Sequence, residues 1–349
     1  MHNYGCLKDV TIGLTRLHAF VGPNDSGKST ILRAVQIVED LLEQAGEPKR
    51  VGSVYEKGLE AVRQPSLFGD FDSIQASLQY TSGGQWNFTV TVGSQPFVTR
   101  GSGDPSGTGL FADTGNPMAP GALQAVRSVS RGARLVRFDP DALRMESQLI
   151  PEAEPLRFYD DRGHRLAGIY DAILNRGDEA FRQIVEKVTA LFPTVKAIRL
   201  RNVNQNTKAL EVELRDGTRV PAKFVSEGLL YYLAFASLQY LEPASILLVE
   251  EPENGLHPVR IAEVMSVFRE IAKTTQVLIA THSPLVINEL TADEVSVVTR
   301  TPQEGTKVRT LAAAPNIDER TKVYSLGELW LSYANGVDES ALFSGQTKP

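Results

Sequence analysis

Apolar residues along the chain fall into runs and periods that predict both strands and helices. Residues 17–21 form a short apolar run with the length of a buried strand. Apolar positions at helical spacing follow from Ile31 to Leu42. A second apolar run begins at Ser245 and ends in two glutamates and a proline, residues 250–252. The pattern predicts an α/β protein with buried strands.

Alternation of apolar and polar residues predicts further strands. The runs from Ile74 to Tyr80 and from Trp86 to Val92 alternate with a period of two, and the turn residues Thr-Ser-Gly-Gly separate them. This arrangement predicts a β-hairpin. Two more strands are expected at residues 195–203 and 209–214, joined by a polar Asn-Gln-Asn turn.

Helical periodicity returns between Asp171 and Phe192, in two segments that Pro193 ends. In contrast, the stretch from Gly101 to Gly121 holds six glycines and three prolines with little periodicity. Such a composition predicts a flexible surface loop. No internal repeat and no heptad run long enough for a coiled coil is present.

Composition limits the class of protein. Of the 349 residues, 42% are hydrophobic and 22% are charged, as is typical of a soluble globular protein. The sequence has neither an apolar run long enough to span a membrane nor the pattern of a signal peptide. Cys6 is the only cysteine, which excludes an internal disulfide and a cysteine-based zinc site. We therefore expect a cytoplasmic protein without a membrane partner.

Net charge bears on nucleic-acid binding. A net charge of −6 argues against an obligate binder that uses its whole surface, although a local basic groove is compatible with it. The most basic region is a candidate DNA or RNA contact. The alternative is a solvated face with local ion pairs, because no aromatic residues interleave with the cations for base stacking. The cluster consists of Arg127, Arg131, Arg134, Arg137 and Arg144, offset by Asp139 and Asp141.

Residues 22–30 match the phosphate-binding P-loop, G-x-x-x-x-G-K-[ST], between a predicted strand and a predicted helix. Glycines allow the backbone to approach phosphate, and the loop amides and helix N-terminus then point at phosphate oxygens. Lys28 would reach the β- and γ-phosphates of a nucleotide, and the Ser29 hydroxyl would ligate Mg²⁺. The alternative is a chance glycine-rich turn. The predicted nucleotide-binding residues are Gly22, Pro23, Asn24, Asp25, Ser26, Gly27, Lys28, Ser29 and Thr30.

Two adjacent carboxylates, Glu250 and Glu251, end the strand that starts near Ser245. In a P-loop fold we expect this strand beside the P-loop strand, with its end at the nucleotide. Neighbouring side chains at a strand end point in different directions, which allows two roles. Glu250 would hold Mg²⁺, and Glu251 would orient or deprotonate the attacking water. A solvated strand end followed by a turn is the alternative.

Three further motifs follow one another in a recognisable order. The run E-E-P-E-N-G-L-H-P at residues 250–258 resembles the Walker B motif and D-loop of ABC-type ATPases, most of all those of the RecF/SMC/OLD-like branch. Upstream, S-E-G at residues 226–228 resembles the signature motif, and T-H-S at residues 281–283 resembles the switch strand with its H-loop histidine. The resemblance covers residues 7–45 and 220–290. A weaker likeness to small OLD-like ATPases of bacterial defence loci, which are AAA-type ATPases, extends over residues 163–200 and the tail at residues 327–330.

The resemblance implies an α/β P-loop NTPase fold with an ABC-type ATPase head. Such a head has a mixed sheet flanked by helices, an antiparallel β subdomain and an inserted helical lobe. The expected division is an ATPase lobe I over 1–95, an inserted subdomain over 96–210, an ATPase lobe II over 211–310 and a helical tail over 311–349.

The resemblance also assigns roles. Lys28 and the P-loop amides would hold the phosphates of ATP, and Ser29 with Glu250 would serve Mg²⁺. Glu251 would be the catalytic base and His282 the γ-phosphate sensor. Ser226, Glu227 and Gly228 would reach the nucleotide of a second subunit across a dimer interface.

Two residues depart from the family pattern, and one assignment stays open. Asp25 stands where glycine is frequent, so its carboxylate must point away from phosphate. Glu250 replaces the usual aspartate. The Q-loop glutamine is either Gln64 or Gln75.

These features predict an ATP-dependent homodimer that acts as a switch. We expect the sensor or motor subunit of a bacterial anti-phage defence or DNA-maintenance system, working with a separate effector such as a nuclease. The chain after His282 is too short for the TOPRIM nuclease domain of full OLD proteins and lacks a D-x-D metal pair, so no nuclease site is expected in this chain. The alternative is a RecF-like DNA clamp that acts in repair without an effector. A transporter subunit is disfavoured by the form of the S-E-G and E-E-P-E-N-G-L-H-P motifs.

Overall fold

A computed structural model describes residues 1–44, 73–80, 86–93, 98–103, 109–113 and 131–333. The fold divides into two compact units, each assembled from separate stretches of chain. The first unit comprises Met1–Arg134, Ala244–Leu248 and Ala280–Pro349, and the second comprises Leu135–Pro243 and Val249–Ile279. The four-part division at residues 95, 210 and 310 stays a prediction.

The bounds of the regular elements are as follows. The strands are β1 (His2–Tyr4), β2 (Leu7–Asp9), β3 (Leu17–Val21), β4 (Ser73–Tyr80), β5 (Trp86–Gly93), β6 (Val98–Gly103), β7 (Gly109–Asp113), β8 (Ala133–Val136), β9 (Ser147–Gln148), β10 (Val195–Asn202), β11 (Thr207–Leu214), β12 (Arg219–Pro221), β13 (Ile246–Glu250), β14 (Gln276–Thr281), β15 (Val295–Thr301) and β16 (Gly305–Thr310). The α-helices are α1 (Lys28–Gln44), α2 (Pro140–Arg144), α3 (Leu166–Arg176), α4 (Asp178–Leu191), α5 (Glu227–Ser237), α6 (Pro258–Ala272), α7 (Pro284–Asn288), α8 (Ile317–Arg320) and α9 (Leu326–Tyr333).

An antiparallel sheet in the first unit contains the predicted hairpin. Its strand order is β2-β1-β4-β5-β6-β7. The hairpin register pairs Tyr80 with Trp86 and Ile74 with Val92, which confirms the strands read from the alternation. This sheet is the antiparallel β subdomain expected of the fold class.

The expectation of a loop over Gly101–Gly121 is wrong for part of that stretch. β6 continues through residue 103 and pairs antiparallel with β7, with Gly101 opposite Leu110. Glycine weakens a strand but keeps both backbone hydrogen-bonding groups, so a neighbouring strand can still pair with it. The composition therefore favoured a loop at residues where the structure has paired strands. Residues 104–108 and 114–121 of the predicted loop lie outside the described residues.

A second, mixed sheet contains β3, β13 and β14, the strands that lead into the P-loop, the E-E-P run and the T-H-S run. Its order is β16-β15-β3-β14-β13-β8, with β15 parallel to β3 and antiparallel to β16. All five residues of β3 and all five of β13 are buried, as their apolar runs predict. The expectation that β13 lies directly beside β3 is wrong, because β14 lies between them. Spacing along the chain does not reveal such an intervening strand, since β14 follows both in sequence.

The second unit is built around α5 and the sheet formed by β10, β11 and β12. β10 and β11 pair as the predicted hairpin, and β9 pairs with the other end of β11. Residues 229–237 of α5 are all buried, and a helix that is apolar all round belongs in a core. The Tyr170 hydroxyl of α3 donates to the Leu233 carbonyl of α5 over 2.9 Å. Burial raises the pKa of Tyr170 well above its usual range, so this hydroxyl stays a donor.

Within the described ranges, no helix combines the length and the apolar character needed to cross a membrane.

His18 is a fully buried titratable group in β3. Its Nε2 lies 2.9 Å from the Ser296 hydroxyl on the neighbouring β15, and its Nδ1 lies 3.1 Å from the Thr15 hydroxyl. Burial lowers the pKa of His18 to about 4, against weaker opposing effects of Glu294 and Asp293. The folded protein therefore holds this ring neutral.

The His18 pKa predicts an acid-sensitive fold. Because the folded pKa lies below the usual value of about 6.5, His18 stabilises the fold fully above that pH, and the contribution is lost as the pH falls towards 4. The loss should approach ~2–3 kcal/mol in the free energy of unfolding. Denaturant unfolding at pH 7 and pH 4.5 measures it. His18→Asn should flatten the pH dependence, and an unchanged pH dependence in this variant would contradict the assignment to His18.

Candidate functional site

The P-loop connects β3 to α1 in the first unit, as its sequence context predicts. Lys28, the first residue of α1, is buried, and its Nζ donates to the carbonyls of Gly22 and Pro23 over 2.7 and 2.8 Å. The loop thus curves around the ammonium group. A positive charge held at this point by the loop's own backbone is suited to an anionic ligand.

Both P-loop glycines occupy positions that a side chain cannot share. Gly27 has a φ of +110°, and a Cβ there would lie 2.6 Å from the Thr306 hydroxyl and 2.8 Å from the Cys6 sulfur. A Cβ at Gly22 would overlap the carbonyl oxygen of Val298. The motif's glycines are therefore required by the neighbouring β15, β16 and the Cys6 turn as well as by the loop itself.

Asp25 takes up the left-handed conformation that glycine would adopt, with a φ of +67°. Its side chain is 93% exposed, and its carboxylate lies 3.3 Å from the Arg300 guanidinium. Arg300 also donates to the Asp25 carbonyl over 3.0 Å. The expectation that this acid points away from the loop interior is confirmed, and Arg300 on β15 compensates its charge.

The next residue, Ser26, is bound by β16, which forms an antiparallel hairpin with β15. The buried Thr306 hydroxyl of β16 donates to the Ser26 carbonyl over 2.8 Å, and the Thr306 amide donates to the Cys6 carbonyl. The Ser26 side chain is buried, yet its hydroxyl makes no hydrogen bond to any described residue. That hydroxyl is available to a ligand of the loop. Of the other predicted loop residues, Asn24 and Ser29 are exposed, and Thr30 is half-buried.

His282 follows β14 directly and is exposed. Thr281 before it is fully buried, and its hydroxyl accepts the Ser283 amide over 3.0 Å. Pro284 then starts α7. These contacts fix the backbone on both sides of the histidine, so its position is set by the strand end.

In the second unit, Glu250 is a buried carboxylate at the end of β13. Its Oε2 lies 3.6 Å from Nη1 of Arg137, and its Oε1 is buried without a hydrogen-bond partner among the described residues. A buried carboxylate oxygen without a donor is costly unless a cation or a donor meets it. Magnesium prefers carboxylate oxygen ligands, so Glu250 fits the predicted Mg²⁺ role.

Glu251 differs from its neighbour in backbone and surroundings. Its φ of +47° is in the left-handed region, which costs a non-glycine residue roughly 1–2 kcal/mol. Asn254 returns to it twice, donating from its amide to the Glu251 carbonyl over 3.1 Å and from Nδ2 to the carboxylate over 2.7 Å. Glu251 is half-buried. The backbone turn thus separates two adjacent acids into a buried one and a solvent-accessible one.

The S-E-G motif begins α5. Ser226 is the N-cap residue, but its side chain makes no capping hydrogen bond, and both Ser226 and Glu227 are exposed. A Cβ on Gly228 would lie 3.3 Å from the Gly255 carbonyl of the E-N-G turn. Gly255 itself has a φ of +70° and packs against the Tyr231 ring. The S-E-G segment and the E-N-G turn therefore lie close together within one unit.

The basic cluster is divided by the structure. Arg137 lies beside Glu250, and Arg144 pairs with Asp141 and Glu227, so both have nearby carboxylates. Arg134 is in β8, Arg131 precedes that strand, and Arg127 lies outside the described residues. For Arg137 and Arg144 the geometry favours local ion pairs over a nucleic-acid contact.

Of the two Q-loop candidates, Gln75 lies on β4 opposite Thr91, and Gln64 lies outside the described residues. Sequence reasoning missed the supporting contacts of Asn254, Arg300 and Thr306. It named Arg137 and Arg144 as candidates for a nucleic-acid contact, whereas they lie beside Glu250 and Glu227. Asn254 lies within a recognised motif, but no spacing rule connects the other residues to the site.

Known proteins resemble the chain in sequence and in fold. A family model described as "AAA domain, putative AbiEii toxin, Type IV TA system" matches residues 17–288. The OLD nuclease of Thermus scotoductus is 34% identical over 100 residues, which are 29% of this chain and 14% of that protein. The match therefore spans a small part of that relative's length.

Among solved structures, an SMC head bound to the C-terminal winged-helix domain of ScpA superposes with a TM-score of 0.51. Its sequence is 16% identical, and the alignment covers 88% of this chain and 95% of that one. The SMC head domain of Thermotoga maritima, also 16% identical, aligns over 88% of this chain and 96% of that one with a TM-score of 0.42.

The fold is that of a P-loop NTPase and is similar to the fold of SMC heads. The chain belongs to the family of P-loop ATPases whose model spans residues 17–288.

The hairpin contact to the P-loop generates a prediction. Thr306→Val keeps the side-chain shape but removes the hydrogen bond to the Ser26 carbonyl. We expect a loss of about 1 kcal/mol in the free energy of unfolding, and a dissociation constant for a fluorescent ATP analogue raised about two- to fivefold. Thr310→Val, on the same strand, is the matched control. Equal nucleotide affinity for both variants would show that Thr306 does not support the loop.

Proposed function

We propose that this protein is an Mg²⁺-dependent ATPase whose two copies join head to head around ATP. The division of Glu250 and Glu251 into a buried and an accessible acid carries the proposal. Hydrolysis of a phosphoanhydride needs one group that holds a divalent cation and another that orients water, and adjacent acids with different surroundings supply both.

Each side chain then has a task. Lys28 and the P-loop amides bind and orient the phosphates, with the unpaired Ser26 hydroxyl as a further donor. Ser29 and Glu250 would hold Mg²⁺, which when bound offsets the charge of the β- and γ-phosphates. Glu251 takes the proton of the attacking water, and Asn254 fixes its carboxylate. His282 donates to the γ-phosphate.

The in-trans arrangement makes hydrolysis conditional on dimerisation. Ser226 and Gly228 would meet the γ-phosphate bound by the second copy, with the N-terminus of α5 directed at it. The exposure of Ser226 and its lack of a capping bond support this role. ATP then stabilises the dimer, and hydrolysis releases it, because only the triphosphate interacts differently with the two states.

In the cell we propose a sensor or motor subunit of a bacterial anti-phage defence or DNA-maintenance system. The family description, which names a toxin–antitoxin system, and the partial likeness to an OLD nuclease support this context. A separate effector protein, such as a nuclease, would receive the signal. The solved SMC head has a bound partner domain, so heads of this fold can dock another protein.

Glu251→Gln tests the mechanism. The variant should bind ATP but lose the base, so turnover should fall about 100-fold or more. It should also accumulate as an ATP-dependent dimer, visible as a doubled mass in light scattering with Mg-ATP. Lys28→Ala, which removes the phosphate contact, should stay monomeric in the same experiment. A Glu251→Gln protein whose mass is the same with and without ATP would contradict the head-to-head proposal.

The alternative is a RecF-like DNA clamp that acts in repair without a separate effector. A DNA-binding measurement distinguishes it from the sensor or motor subunit. A RecF-like clamp should bind duplex DNA only with ATP, with an affinity that falls as salt rises and when Arg131 and Arg134 are replaced. We expect no such binding and no metal-dependent DNA cleavage by the purified chain. Cleavage by the chain alone would refute the separate effector.

A further inference from the structure

The signature motif contains an acid where a phosphate is expected. Glu227 is in the first turn of α5, between Ser226 and Gly228, and its side chain is 54% exposed. A carboxylate at a helix N-terminus is favourable for the helix alone. It would nevertheless repel the γ-phosphate of a second subunit, since two like charges within about 4–6 Å destabilise one another.

Arg144 is placed to compensate this charge. Its Nη2 donates to the Val225 carbonyl over 3.3 Å and lies 3.9 Å from the Glu227 carboxylate. Its Nη1 donates to Asp141 over 3.1 Å. The Arg144 side chain is 19% exposed, whereas the carboxylates of Asp141 and Glu227 remain exposed to solvent. One guanidinium thus contacts the backbone before Ser226 and the side chain after it.

The segment that carries Arg144 is itself firmly held. Asp139 caps α2 by accepting the amides of Asp141 and Ala142, and Arg162 pairs with the Asp139 carboxylate over 2.8 Å. Leu143 is buried, and it packs so closely against Gly163 that a Cβ on Gly163 would lie 2.5 Å from it. α2 therefore presents Arg144 from a fixed position.

We propose that Arg144 is the positioning residue of the signature motif. It fixes the turn before Ser226 and neutralises Glu227, so that the motif can receive the γ-phosphate held by a second copy of this chain. The inference rests on the proposed function. An ordinary ion pair at a helix start is the competing explanation, and it predicts an effect on folding alone.

The experiment uses the Glu251→Gln background and measures the dimer dissociation constant with saturating Mg-ATP by analytical ultracentrifugation. Adding Arg144→Ala should weaken the dimer about tenfold or more, because Glu227 is left uncompensated. Adding Glu227→Gln to that protein should restore most of the loss. The control Arg157→Ala removes an exposed arginine of the same unit and should leave the dimer unchanged.

Salt separates charge from structure. Salt screens the repulsion between Glu227 and phosphate. The loss of dimer affinity in Arg144→Ala should therefore be smaller at about 500 mM salt than at about 50 mM salt. Nucleotide binding by the monomer, measured with a fluorescent ATP analogue, should stay as in the parent protein. Failure of the parent to dimerise would refute the proposed function. A parent that dimerises while Arg144→Ala dimerises equally well would refute only the role of Arg144.

A second variant keeps the inference testable if Arg144→Ala does not fold. Glu227→Gln alone removes a negative charge beside the motif while Arg144 stays in place, and it should tighten the dimer, with a gain that also shrinks in salt. An unchanged dimer constant in Glu227→Gln would overturn the proposal.

Discussion

The turn between β3 and α1 is the constraint on which the first unit depends. It is closed from inside by the Lys28 ammonium on two loop carbonyls, and from outside by Arg300 and Thr306 of the β15–β16 hairpin. Space for side chains is absent at Gly22 and Gly27, because the hairpin and the Cys6 turn lie directly against them. A loop restrained on both sides loses little conformational entropy when it binds a phosphate, and such preorganisation favours binding.

In the second unit, the main constraint is the placement of two adjacent carboxylates, those of Glu250 and Glu251. Glu250 is buried at the end of β13. The left-handed backbone of Glu251 then turns the chain, so that the Glu251 side chain is only half-buried. Backbone strain at this point is offset by Asn254, which binds both the carbonyl and the carboxylate of Glu251. Strain held by surrounding contacts at a pair of acids is expected at a functional site and rare elsewhere.

Sequence reasoning predicted the fold class, the P-loop between a strand and a helix, and the paired strands β4 and β5. It also predicted that the side chains of Glu250 and Glu251 point in different directions. Each of these depends on residues that are neighbours in the chain, where periodicity and motif spacing carry information. It failed where backbone pairing or distant contacts decide. β6 and β7 form through main-chain bonds despite their glycines, and β14 is inserted between β3 and β13 by topology. Thr306 contacts Ser26 across 280 positions, a distance that no local pattern encodes.

The arginines show the same limit most clearly. Read along the chain, their density suggests a phosphate-binding surface. In the fold, Arg137 lies beside Glu250 and Arg144 beside Glu227. Outside this cluster, Lys196 and Arg199 both bind Glu213 and lower its pKa to about 2. Glu250 and Glu227 belong to the E-E-P-E-N-G-L-H-P and S-E-G runs. In the proposed site, Arg137 and Arg144 would each offset part of the negative charge of the acid beside it, so the pairing within the fold accounts for these two arginines without a nucleic-acid partner.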